Sequence, residues 1–222
     1  MHGRLVVFEG VEGCGKTTQI ARLRKWLHSS YASAHLERGE ALQVVVTREP
    51  GGTVLGQDIR QLLLHSSAGQ EPMQDRTELL LYAADRAQHV ETFLKPQLQK
   101  GVFVLCDRYT DSTIAYQGYG RGLDRSLIEQ LNQIATGGLQ SDLTLWLDVD
   151  AEIGLARVQE RGMRDRIEQA TLDFHHRVQQ GFTELASLYP ERIVRIDASV
   201  SESRVAEQVQ LVIQQKLALW YQ

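Results

Sequence analysis

Apolar residues gather into five short runs: "RLVVFE" (4–9), "LQVVVT" (42–47), "VFVLCD" (102–107), "LTLWLDV" (143–149) and "RIVRID" (192–197). Short, nearly continuous apolar runs of this kind predict strands buried on both faces. The stretches between them are patterned differently. "KTTQIARLRKWLHSS" (16–30) places Ile20, Leu23 and Leu27 near helical spacing, and "RTELLLYAADRAQHVETFLKPQLQ" (76–99) reads as one long helix interrupted near Pro96. "SESRVAEQVQLVIQQKLALW" (201–220) opens with a serine in a capping position and carries Val205, Val209, Val212 and Ile213 on one face. Runs alternating with helices predict βαβ units, and so an α/β fold with a five-stranded parallel sheet and helices on both faces. "SSYASAHLERGEA" reads as a loop inserted after the first helix, and no repeat, low-complexity segment or linker divides residues 1–222.

Composition narrows this picture. The chain has 222 residues, 42% of them hydrophobic, enough for a sizeable core. Its two cysteines, Cys14 and Cys106, form no CxxC pair, so reduced thiols are expected. The amino terminus lacks a signal-peptide pattern, and no run approaches the roughly 20 apolar residues of a membrane span. A cytoplasmic protein that binds no membrane is the expectation. A formal net charge of −4 argues against broad nucleic-acid binding, which draws on a basic surface. Any anion must therefore be met by locally placed cations.

The chemistry begins directly after the first run, at "GVEGCGKTT" (10–18). Gly10, Gly13 and Gly15 allow a tight turn with N–H groups directed inward, Lys16 brings a mobile positive charge, and the helix that follows offers its positive end to phosphates. Thr17 supplies the hydroxyl that such loops use on Mg²⁺. Strand, loop and helix in this order are the context a phosphate-binding P-loop requires. The ATP-binding stretch accordingly comprises Gly10, Val11, Glu12, Gly13, Cys14, Gly15, Lys16, Thr17 and Thr18. No Asn-Lys or Thr-Lys-x-Asp element for reading guanine is present, and neither "SSAGQ" nor "TGGLQ" has the Ser-Gly-Gly-Gln order of a transporter ATPase. Switch and motor classes lose ground.

Three arginine-bearing segments suit a second anionic substrate: "TREPGGT" (47–53), "CDRYTDSTIAYQGYGRG" (106–122) and "ERGMRDRIE" (160–168). The first two follow strands and fall at the same sheet edge as the P-loop. Together with "YAADRAQH" and "FHHRVQQGFTELA", and in this order from about residue 4 to about residue 198, the set resembles the bacterial thymidylate kinases. The resemblance implies a P-loop kinase that passes the γ-phosphoryl of ATP to dTMP, with Mg²⁺, as a homodimer. It implies that Arg48 and Arg108 bind the acceptor phosphate, that Asp107 and Thr17 serve the metal, and that Glu12 reaches the 3′-hydroxyl region. Tyr82 takes the place of the aromatic, commonly phenylalanine, that stacks on thymine, and Arg86 that of the arginine on the base. Thr113 and Gln117 match positions at the thymine edge, and Tyr116 the tyrosine that crowds the sugar 2′ position. With Gly13 in the P-loop and Arg161, Arg164 and Arg166 further on, the chain resembles members that carry their arginines in a lid, here about 157–170. Arg161 and Arg166 are the first choices, beside Lys16 and Arg108, for catalysis. A kinase for another nucleoside monophosphate and a non-catalytic nucleotide-dependent regulator stand as alternatives.

Overall fold

The computed structural model describes residues 3–31, 42–65, 71–162 and 165–221. Its centre is a parallel sheet of β1 (Arg4–Glu9), β2 (Val44–Arg48), β3 (Phe103–Asp107), β4 (Leu143–Asp148) and β5 (Ile193–Asp197), in the order β2-β3-β1-β4-β5. The side-chain period of two sends Val6 and Phe8 to one face and Leu5 and Val7 to the other, all fully buried. Leu5 and Val7 meet Val90 and Leu94, while Val6 and Phe8 share a larger core with Leu23, Phe182, Val209 and Ile213. Helices therefore cover both faces, as the apolar runs required.

The first helix, Lys16–Trp26, and the last, Glu202–Trp220, pack together, and Ser201 caps the latter by accepting from the Arg204 N–H. Val212 is only partly buried; the core face of that helix runs instead through Val205, Val209, Ile213 and Leu217. The long helix runs Asp75–His89, widens over Val90–Leu94 and resumes at Lys95–Gln99. Pro96 falls in the first turn of that last piece, where its missing N–H removes no essential bond, so the interruption is a widened turn rather than a break. Four further helices, Val54–Leu64, Arg125–Thr136, Ala151–Arg161 and Leu172–Leu188, lie in stretches to which the sequence reading assigned no element. Their signals were caps: Thr53, Asp124, Asp150 and Thr171 each accept from a backbone N–H of the first turn. Most of the inserted loop after the first helix lies outside the described residues.

β1 and β4 are neighbours, as are β1 and β3, so the carboxyl ends of β1, β2 and β3 open onto one edge of the sheet. Here the P-loop, "TREPGGT" and "DRY" come together.

Candidate active site

A cavity of about 370 Å³ lies at that edge. On one side is the P-loop. Gly10, Gly13 and Gly15 have φ of 139°, 72° and 95°, values that glycine adopts without strain. Space adds to the requirement: a Cβ on Gly13 would lie 2.0 Å from the Gly154 carbonyl oxygen, and one on Gly10 2.5 Å from that of Leu147. Gly15 begins the helix without any side-chain cap, leaving first-turn N–H groups for an anion. Lys16 is buried, and its Nζ donates to the carbonyls of Gly10 and Val11, both at 3.2 Å. Val11 and Cys14 lie beneath the loop in the core, whereas Gly13, Gly15, Lys16, Thr17 and Thr18 line the cavity.

Opposite stand residues from distant parts of the chain. Arg48 ends β2 beside Asp107, its register partner on β3, and both line the cavity. Glu49 does not hold Arg48: its two oxygens take Arg86 Nε at 2.8 Å and His89 Nδ1 at 2.9 Å. Arg60, which the sequence reading missed, enters from the Val54–Leu64 helix and lines the same cavity. Burial and then the Arg48 guanidinium push Arg60 below its ordinary value. Two cations brought this close favour an anion between them. No pattern in its own segment marks Arg60; only the packing of its helix carries it there.

Arg108 has φ of 70°, in the left-handed region that a non-glycine residue seldom occupies. Glu9, also missed, holds this turn. Fully buried at the end of β1, it accepts from the Tyr109 N–H at 2.9 Å, the Ser112 N–H at 3.1 Å and the Ser112 hydroxyl at 2.5 Å. Burial raises Glu9 to about 7, with Arg108 opposing. A carboxylate closing an apolar strand was the available signal. Arg108 itself donates to Glu12 Oε1 at 2.5 Å and to the Gly10 carbonyl at 2.9 Å, and lies 4.8 Å over the Tyr116 ring. Tyr116 adds its hydroxyl to Glu12 Oε1 at 3.0 Å. Burial pushes Glu12 upward, but Arg108 and Lys16 outweigh it and hold the carboxyl down at about 2.

Tyr82 and Arg86 lie one turn apart on the Asp75–His89 helix, and both line the cavity. Arg86 is almost completely buried, and besides Glu49 it donates to Thr113 Oγ1 (2.8 Å), Asn132 Oδ1 (2.7 Å) and the Tyr109 carbonyl (2.9 Å). Thr113 and Gln117 are buried beside it. They sit where the Thr110–Thr113 turn passes into the widened helix Ile114–Gly120.

The lid arginines are placed differently. Arg166 does not line the cavity: it donates to the Leu63 carbonyl at 2.9 Å and forms a short ion pair with Glu78. Arg164 and the side chain of Arg161 lie outside the described residues. Arg157, one turn before Arg161 and not foreseen, lines the cavity with its Nη1 3.5 Å from the Gly13 carbonyl oxygen.

The donor set suits a hard cation. Asp107 Oδ1 is buried without a hydrogen-bond partner, and the exposed Thr17 lines the same cavity. Among the described residues no three His, Cys, Asp or Glu side chains cluster to hold a metal unaided, so phosphate oxygens and water would complete such a shell.

A parallel sheet with a P-loop at its carboxyl edge, facing a second set of arginines across one cavity, defines a P-loop kinase of nucleoside monophosphates. Comparison with known proteins makes this particular. The model of the family described as thymidylate kinase matches residues 8–209. A thymidylate kinase of Trichodesmium erythraeum (strain IMS101) is 57% identical over 231 residues, covering 99% of each chain. One of Cyanothece sp. (strain PCC 7425 / ATCC 29141) is 58% identical over 229 residues, covering 100% of this chain and 97% of its own. The crystal structure of thymidylate kinase from Ehrlichia chaffeensis superposes with a TM-score of 0.75 at 33% identity, over 96% of this chain and 100% of that one. The chain belongs to the thymidylate kinase family.

Proposed function

We infer that the cavity transfers the γ-phosphoryl group of ATP to dTMP, giving dTDP and ADP. The observation that carries this is the convergence of Arg48, Arg60 and Arg108 on the cavity that also holds Lys16 and the capless helix start. One anion site would suffice for a nucleotide switch; two call for a donor and an acceptor. An oxygen of the acceptor phosphate attacks the γ-phosphorus, and the bond to the oxygen bridging to the β-phosphate breaks, so ADP leaves with those electrons. Little covalent work falls to the protein. Lys16 and the P-loop N–H groups hold the triphosphate, and Arg48, Arg60 and Arg108 align the acceptor. Arg108 is shared with Glu12 until an acceptor phosphate competes for it.

Mg²⁺ held between Thr17, Asp107 and the phosphates would neutralise charge on the triphosphate. Glu12 serves the 3′-hydroxyl region, Tyr116 the sugar, and Tyr82, Arg86, Thr113 and Gln117 the base. Residues 1–222 act as one kinase domain whose lid, about 157–170, carries Arg161 and Arg166. For Arg166 to meet the phosphates, lid closure must exchange its Glu78 ion pair for them. Two buried unpaired thiols support a place in a reducing cytoplasm.

A homodimer fits the surface. The apolar stripe from Leu79 to Phe93 serves mainly the core, since Leu79 and Val90 are buried there. What stays exposed is Leu80, with Val54, Leu55 and Leu62 on the helix packed beside it. Light scattering on the purified chain tests this, a monomer at micromolar concentration opposing it.

ADP formation from Mg-ATP with dTMP, dUMP, UMP, CMP, AMP and GMP, each tested alone, checks the reaction. A response led by dTMP, with weaker dUMP, is expected. A response led by another base would overturn the pocket while keeping the phosphate machinery.

A further inference from the structure

Glu78 has entered so far only as the ion-pair partner of Arg166. It sits on the Asp75–His89 helix, one turn before Tyr82 and two before Arg86, and is completely buried. Its Oε1 accepts from Gln117 Nε2 at 2.7 Å and from Arg121 Nε at 3.3 Å. Its Oε2 accepts from Arg121 Nη2 at 3.1 Å and from Arg166. Burial alone would raise this carboxyl, but Arg121, Gln117 and Arg166 outweigh it and keep Glu78 below the ordinary value, so it is ionised at neutral pH. An ionised carboxylate has no proton to donate.

That fact decides which way the Gln117 amide is turned. Its NH₂ group must meet Glu78, leaving the carbonyl oxygen as the group Gln117 offers to the cavity it lines. Thr113, one turn earlier, is set in the opposite sense: its oxygen accepts from Arg86, so its own hydroxyl hydrogen is left to donate. The pair presents a donor beside an acceptor. A pyrimidine with a 4-oxo group and an N–H at position 3 offers the complement. Cytosine, with a 4-amino group and a bare N3, offers the reverse and would leave buried polar groups facing like partners.

We propose that Glu78 is a positioning residue for base selection: by holding the Gln117 amide in one orientation, it makes the cavity accept 3-N–H pyrimidine monophosphates and reject cytidine ones. This rests on the reading that the cavity binds dTMP. The same carboxylate anchors Arg121 and Arg166, which explains how it stays charged where water is excluded.

The test is Glu78→Gln in the full chain, with dissociation constants for dTMP and dCMP measured by calorimetry alongside thermal melts. A glutamine keeps the shape yet can donate, so it frees the Gln117 amide to turn. The preference for dTMP over dCMP should fall at least about tenfold, beyond the lowered melting temperature that lost ion pairs bring. A lower melting temperature with an unchanged preference, whether both nucleotides weaken equally or neither does, would overturn the proposal. Should Glu78→Gln not fold, Gln117→Met removes the acceptor with Glu78 intact; the same loss of preference is expected, and an unchanged preference overturns the idea. Wild-type protein that binds dCMP as tightly as dTMP would instead break the underlying dTMP reading.

Discussion

The two sides of the cavity are built in opposite ways. The donor side is one contiguous stretch, Gly10 to Thr18, whose phosphate-binding groups are mostly backbone and whose cation, Lys16, rests on carbonyls of its own loop. The acceptor side is gathered from Arg48, Arg60, Tyr82, Arg86, Arg108 and Gln117, from four segments; Glu49 holds Arg86, Glu12 holds Arg108, Glu78 holds Gln117, and Glu9 holds the backbone turn beside Arg108. Phosphate binding by a P-loop asks only for local geometry and a charge. Recognition of a particular monophosphate asks for several buried polar groups to agree, and each needs a partner of its own.

This contrast predicts which changes are local and which spread. Lys16→Ala should break the donor side alone: turnover should fall by about 10²–10³-fold, with the far-ultraviolet spectrum preserved. Near-normal turnover in that variant defeats the assignment. Arg108→Ala should raise the KM for dTMP by about tenfold or more and that for ATP by much less. Equal effects on both substrates would erase the distinction between the sides. Arg60→Ala should act in the same direction with a smaller factor, which steady-state kinetics in dTMP will show.

A pH titration sharpens the comparison further. Glu12 is held near 2 in the folded chain against an ordinary value of 4.5, so its contribution is fully present above about 4.5 and is lost as pH falls toward 2. Glu12→Gln should therefore flatten the acid limb of stability between those values. An identical acid limb in thermal melts of both proteins would show that Arg108 does not hold Glu12 in solution. The smallest effect is expected at Cys14. Its Sγ lies 3.4 Å from Lys16 Nζ but is buried in the core, so thiol labelling should be slow, and slower with saturating ATP. Equally fast labelling with and without nucleotide would misplace the thiol.

What could be read in the sequence follows the same division. Strand boundaries matched the apolar runs to within two residues, because a strand buried on both faces writes its length directly into composition. The P-loop was legible because its glycines and lysine must be contiguous. Val54–Leu64 carries both signals, a Thr53 cap and a face through Ile59 and Leu63, yet that face is short beside the exposed Val54, Leu55 and Leu62. Arg60 and Arg157 were not legible at all, since nothing local marks an exposed-looking arginine that a neighbouring element will partly enclose.

The sequence by itself determined the α/β class, the five strands, the phosphate loop and, through the ordered segments, the family. The tertiary structure alone decided the sheet order, the enclosure of Arg60 and the partners of each buried carboxylate. It separated Glu49, bound to Arg86 and His89, from the adjacent Arg48, and tied Glu78 to residues 39 and 88 positions away. The reason is physical. Local conformation is set by propensity and periodicity over a few residues, whereas the partner of a buried charge depends on which distant element is near enough to satisfy it.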